Sequence, residues 1–167
     1  MESNGNLAMS GKYIVQHIRG GQVIDEFEAD NIVVDQGLDY ALNAGFGQTS
    51  AIASWYAGLF EGNYTPTSAV VASTITGLST ECTAYASATR PVWTVVASTA
   101  KKLTNSASRA SFVFNATKTI YGAFLVSSST KSGTTGTLFS AARFTTAKSV
   151  DSGDELLVTY ELTAADA

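Results

Sequence analysis

The sequence predicts a mainly β protein: a single β-sandwich or jelly-roll-like domain with one short helix and a flexible N-terminal arm. Three observations lead there. Short runs of β-branched and aromatic residues alternate apolar with polar, as strands with one buried face do. Clusters of Gly, Asn, Ser and Thr separate those runs at intervals typical of sandwiches. Only one stretch, after Val34, carries helical spacing. No internal repeat and no change of composition marks a second domain, so residues 12–167 read as the domain and residues 1–11 as the arm.

The arm is assigned because residues 1–11 are polar, with Gly5 and Gly11 and only Leu7, Ala8 and Met9 apolar. Lys12 to Arg19 then places Ile14 and Ile18 on one strand face and Tyr13 and Val15 on the other. Gly20-Gly21 is a two-residue hairpin signal, and Gln22 to Glu28 is the returning strand. Ile32, Val33 and Val34 form a β-branched run. Asp35-Gln36-Gly37 opens the helix, Leu38, Ala41 and Leu42 give it i, i+3, i+4 spacing, and Gly45 and Gly47 end it. Ser54 to Phe60 resumes as an apolar strand.

Glu61 to Ala88 is punctuated by Gly62, Asn63, Pro66 and Gly77, and reads as a long structured loop with short strands, anchored by Val70, Val71 and Ile75. From Arg90 onward the β pattern sharpens. Val92 to Ala97 and Arg109 to Phe114 are strands. Ile120 to Val126 is apolar on both faces and suits a central position. After the Ser127 to Gly136 loop, Leu138 to Thr145 is another strand. A turn at Val150-Asp151-Ser152-Gly153-Asp154 precedes a last strand with Leu156, Val158, Tyr160 and Leu162 on one face. About eight strands result, enough for a sandwich with the helix capping one open end or edge.

Composition narrows the function. Charged residues are 14% of the chain, against roughly 25% in ordinary soluble domains. The surface is therefore built from Ser, Thr, Asn and Gln, and few ions need desolvating when it meets a neighbour. The net charge is −4, and the ten Lys and Arg are scattered apart from Lys101-Lys102. Without a cationic stripe, direct nucleic-acid binding is not expected. Asp25, Glu26, Glu28 and Asp30 lack the spacing of a calcium loop and read as a solvated strand or turn. The one cysteine, Cys82, makes no internal disulfide and reads as a small buried side chain. No signal peptide and no apolar run of the ~20 residues a membrane span requires is evident, so synthesis in a cytoplasm and no membrane partner are expected.

Catalytic chemistry finds little support. The lone His17 lies mid-strand, and no nucleophile elbow accompanies it. One His and one Cys are too few for a transition-metal site, so neither metal nor cofactor is expected. Glu61 and Glu81 are the most notable carboxylates because both stand in uncharged surroundings. Glu81 is read as pairing with Arg90 to pin the long loop, in preference to acid–base work. Neither Gly20-Gly21 nor Gly133 to Gly136 leads into a helix as a phosphate cradle must. Asn63-Tyr64-Thr65 and Asn115-Ala116-Thr117 match the glycosylation pattern but lack a secretory signal. Trp55, Tyr56, Tyr64, Tyr85 and Trp93 offer a sugar-stacking platform, although Trp55 and Trp93 lie in apolar strands where core packing is favoured.

Several segments resemble small virion proteins of tailed bacteriophages. They are Asn31-Ile-Val-Val-Asp-Gln-Gly-Leu, Trp55-Tyr-Ala-Gly-Leu, Thr80-Glu81 with Ala84-Tyr85 and Arg90-Pro91, and Ser152-Gly-Asp-Glu-Leu-Leu-Val-Thr-Tyr. The resemblance spans residues 12 to 163 and is to capsid decoration, or cement, proteins. It implies a homo-oligomer, a trimer by class, on the outer shell at capsomer junctions, with the major capsid protein as partner. The candidate contact residues are Leu7, Met9, Tyr13, Tyr64, Val70 and Val71, and the arm is expected to extend onto a neighbour. Relatives often carry Asp and His before the glutamate, whereas Ser68 to Ser79 holds no charge, so no polar site is carried over. A tail, fibre or connector component and a glycan-binding module are the alternatives.

Overall fold

The computed structural model describes residues 7–98 and 100–166. It is a mainly β single domain of two antiparallel sheets. The first holds β1 (Leu7–Arg19), β2 (Gln22–Asp30), β6 (Lys102–Thr104), β7 (Ala110–Val113) and β10 (Glu155–Asp166). Its order is β2-β1-β10, with β6 and β7 following one another along the far side of β10. The second sheet has the order β3 (Ile32–Val33), β9 (Leu138–Val150), β8 (Lys118–Val126), β4 (Trp55–Phe60), β5 (Val92–Trp93).

The hairpin glycines behave as the sequence requires. Gly20 and Gly21 both have positive φ, 58° and 78°, the backbone of a tight turn that twists with its strands. The alternation of β10 is equally faithful: Leu156, Val158, Tyr160 and Leu162 all point inward and are buried. They meet Tyr13 and Val15 of β1, Phe112 of β7, and Leu59, Ala123 and Leu125 of the second sheet in one continuous core. Several polar groups inside that core are paired, while the Tyr85 hydroxyl and Asn31 Oδ1 are buried without a partner among the described residues. Tyr13 and Ser140 hydroxyls lie 2.9 Å apart, and the Asn31 amide donates to the Tyr160 hydroxyl at 2.9 Å. Burial pushes the Tyr160 hydroxyl up to about 12, so it stays protonated.

Between β6 and β7 the ladder is completed by side chains. The Tyr160 N–H donates to Asn105 Oδ1 at 2.8 Å, Asn105 Nδ2 donates to the Val158 carbonyl at 3.1 Å, and Trp93 Nε1 donates to the Tyr160 carbonyl at 3.1 Å. A buried backbone left unpaired would cost ~1–3 kcal/mol per group, so these contacts let one long strand bridge two short ones.

The outer face of the second sheet is also covered. Phe60, Phe124, Val126 and Ala141 pack there against Val34, Val70, Ala72 and Ile75. The last two belong to α2 (Ala72–Ser79), a helix within the segment expected to be loop and short strands. The other helix, α1 (Asp35–Gly45), lies where the spacing places it. Gln36 joins both helices to β9: its Oε1 accepts from the Ala72 N–H at 3.0 Å and the Leu138 N–H at 2.8 Å. Gly37 allows α1 to press on β9, since a Cβ there would stand 2.4 Å from the Phe139 carbonyl oxygen.

The arm requires a correction. Residues 1–6 lie outside the described residues, but Leu7 to Gly11 are not a free arm. They are the first part of β1, paired in register with Leu162 to Asp166 of β10. Backbone hydrogen bonding outweighs the polarity of their side chains. Further differences are the shorter Val92 strand, which ends at Trp93, and the added strand β6.

Candidate interaction surface

Only three charged residues occur between Tyr40 and Ala100: Glu61, Glu81 and Arg90. All three are consumed internally. Arg90 and Glu81 form a two-pronged pair, Nε to Oε1 and Nη2 to Oε2, both 2.7 Å. Their side chains are fully buried, 0% and 1% exposed. Arg90 also donates to the Ser128 carbonyl at 2.8 Å, and Glu81 Oε2 accepts from the Ser132 N–H at 2.6 Å. The pair therefore ties the end of α2 to the 127–136 loop. Lys131, 3.7 Å above the Tyr85 ring, adds a second tie by donating to the Tyr85 carbonyl. Glu61 meets Lys118 at 3.0 Å.

At the sandwich end formed by these charge-poor segments an apolar cleft opens, with the Lys102–Glu161 pair beside it. Trp55 of β4 and Trp93 of β5 face one another across the ladder. Beside them a cleft of about 230 Å³ opens between the sheets, walled by Met9, Tyr40, Ala44, Phe139 and Leu162. A second cleft of about 490 Å³ adjoins it, sharing Trp55, Trp93 and Leu103. Tyr40 and Phe139 hold Trp55 edge-on, with ring centres 5.2 and 5.4 Å away. Around this end Leu7, Leu42, Phe46, Val92 and Val96 stand exposed.

Charge collects elsewhere. On β2, Asp25 meets Lys148 at 2.7 Å and Glu28 meets Lys12 at 2.7 Å, while Glu26 accepts from Gln16. The acidic run is thus a solvated edge strand whose members take separate partners. Such charges discourage another chain from pairing there. Among the described residues, no group of three or more His, Cys, Asp and Glu is arranged to hold a metal.

At the β9–β10 turn, Asp154 is buried and accepts from Arg19 Nε at 2.8 Å, Arg19 Nη2 at 2.6 Å and the Asp151 N–H at 2.8 Å. His17 Nε2 lies 2.8 Å from the same carboxylate. The Arg19 guanidinium above all, aided by the Asp151 N–H and His17, holds the Asp154 carboxyl well below the usual range. This cluster locks the turn onto β1. Register brings it about, because His17 and Ile18 stand opposite Leu156 and Glu155. The sequence shows His17 and Arg19 on one strand face, but not which turn they meet.

The expected contact residues divide. Glu81 and Arg90 are brought together. Leu7 is exposed and Met9 lines the cleft, but Tyr13 and Val70 are 0% and 3% exposed and cannot meet a partner. Tyr13 faces inward because it shares its strand face with Val15, and Val70 is held under the outer layer by Phe60 and Ile75. Tyr64 and Val71 are half-buried on that outer layer, apart from the cleft. The five aromatics offered as a sugar platform do not assemble into one: Tyr85 is buried against Phe112, and Trp93 is almost wholly inside. Cys82 is fully buried, and burial pushes its thiol up, which makes it inert. No helix among the described residues is long and apolar enough to cross a membrane. No known family model matches the chain, and no curated protein matches it in sequence.

Proposed function

We propose that this chain is a structural virion protein, a capsid decoration or cement protein of a tailed bacteriophage. It binds the outer shell at capsomer junctions and stabilises it against internal DNA pressure. The observation that carries this reading is the distribution of charge: the segment from Tyr40 to Ala100 presents apolar and hydroxyl-bearing surface while its only three charges are paired internally. Such a surface gains contact area at small desolvation cost. Stable association needs about 1,200–2,000 Å² of buried surface, a fraction of the 8421 Å² that the molecule exposes. The segments resembling phage virion proteins support the same reading.

The partners on this account are the major capsid protein and further copies of the chain, with neither nucleic acid nor membrane involved. The protein is made in the host cytoplasm and works at the capsid surface without catalysis or cofactor. Mixing purified protein with bare, expanded phage shells tests this. Co-sedimentation with the shells and regular outer density in electron images are expected. Binding confined to a tail or vertex would reassign the chain to a tail, fibre or connector role, and absence of binding would overturn the proposal.

A further inference from the structure

The strand β2 is an edge that the fold leaves open. It lies last in its sheet, and its ladder with β1 is the only one it makes among the described residues. It is nine residues long and contains no proline, whereas edge strands are commonly kept short or broken by proline. From Asp25 to Asp30 its register with β1 runs without a bulge, so the N–H and C=O groups on its outer side keep regular strand spacing. Across the sandwich β2 meets Phe144 through Phe27 and Lys148 through Asp25. Both contacts are between side chains on its inner face and occupy none of those backbone groups. At the start of the strand Val23 and Ile24 are 55% and 51% exposed.

The outer face of the same strand carries Glu26, Glu28 and Asp30, all exposed, at every second position. Lys12 meets Glu28 at 2.7 Å, but Glu26 is bonded by the Gln16 amide, and Asp30 has no ion-pair partner among the described residues. The other cations of this face are engaged further across the sheet, Arg109 with Gln16 and Lys102 with Glu161. We propose that this edge takes up an extended segment of a partner protein with Lys or Arg at alternate positions, added to the sheet as a further strand. Backbone hydrogen bonds along the open edge hold the segment, and its alternation sets the basic side chains opposite the three carboxylates. A second copy of the chain is turned away, because its own β2 places carboxylate against carboxylate. On the function proposed above the segment belongs to the shell, but the inference stands on the edge and its charges alone.

Calorimetric titration of the intact 17.4 kDa chain with a peptide of alternating Lys and Thr, ending in Val-Val, tests this. The peptide is expected to bind about tenfold more tightly than one of the same composition with its lysines in a single block. High salt should weaken the binding. N-methylation of alternate amides along the peptide's pairing edge is expected to abolish it, since the ladder then loses its donors. In the complex the outward amides of β2 should become protected from hydrogen exchange. Replacing Glu26→Lys and Asp30→Lys together should reverse the preference, so that the chain takes a peptide of alternating Glu and Thr instead. Both residues are exposed, so this double variant should keep its circular dichroism. Failure of the alternating peptide to bind would overturn the inference, as would binding indifferent to alternation and to N-methylation, which is plain charge attraction. A chain that decorates shells yet ignores the peptide loses this contact and keeps the shell function.

Discussion

Glu81 and Arg90 are the residues on which the covering layer depends. Their charges are fully buried and mutually satisfied, so removing one leaves the other stranded in a low-dielectric interior. Glu81→Gln is expected to cost about 3–5 kcal/mol in urea unfolding, and replacing both by apolar residues should recover part of that loss. This pair was legible in the sequence because the two residues stand alone in a charge-free stretch. The Asp154 cluster was not, because it depends on the pairing register of β1 and β10. It also makes a prediction. The folded state holds Asp154 below its unfolded value of about 3.9. Its contribution is therefore fully present above that value and is lost as the pH falls towards the folded one. Asp154→Asn should lower stability at neutral pH, and the gap from wild type should narrow between about pH 5 and 2. A gap that stays constant through acid unfolding would contradict the assignment.

At the scale of elements, β4 and β8 fit through two reciprocal glycine–aromatic pairs. Gly58 stands opposite Phe124, and Phe60 stands opposite Gly122. A Cβ on Gly58 would lie 2.2 Å from the Phe124 ring, and one on Gly122 would lie 2.1 Å from the Phe60 ring and 2.2 Å from the Ala142 carbonyl oxygen. Gly58→Ala and Gly122→Ala should each cost about 1–3 kcal/mol by chemical denaturation, through overpacking of the layer that α2 covers. The helix α2 itself was hidden from sequence reasoning. Ala72 to Ser79 holds three Ser or Thr residues before Gly77, weak helix formers all, and is a helix because Ala72 and Ile75 bury against the sheet. Leu7 to Gly11 escaped for the opposite reason: their ladder is backbone to backbone, and no side-chain pattern reports it. The Gly20-Gly21 hairpin, the both-faced apolar run of β8 and the inward face of β10 were readable because each buried face imposes its own periodicity.

The whole molecule is closely packed in its layers and uneven in its charge. Ion pairs gather on β2, at the β9–β10 turn and under the covering layer, and Lys102–Glu161 stands beside the cleft near Trp55 and Trp93, whose own lining is apolar. The sequence revealed the shortage of charge; that the cleft beside Trp55 and Trp93 is lined by apolar side chains follows from the fold. An object of this kind strengthens an assembly by adding contact area between its parts. That claim is tested most directly by the temperature at which DNA-filled phage shells rupture, followed by calorimetry or by dye access to the DNA, with and without saturating protein. The account predicts a higher rupture temperature that saturates as the shell's sites fill. Shells that bind the protein yet rupture at an unchanged temperature would contradict it.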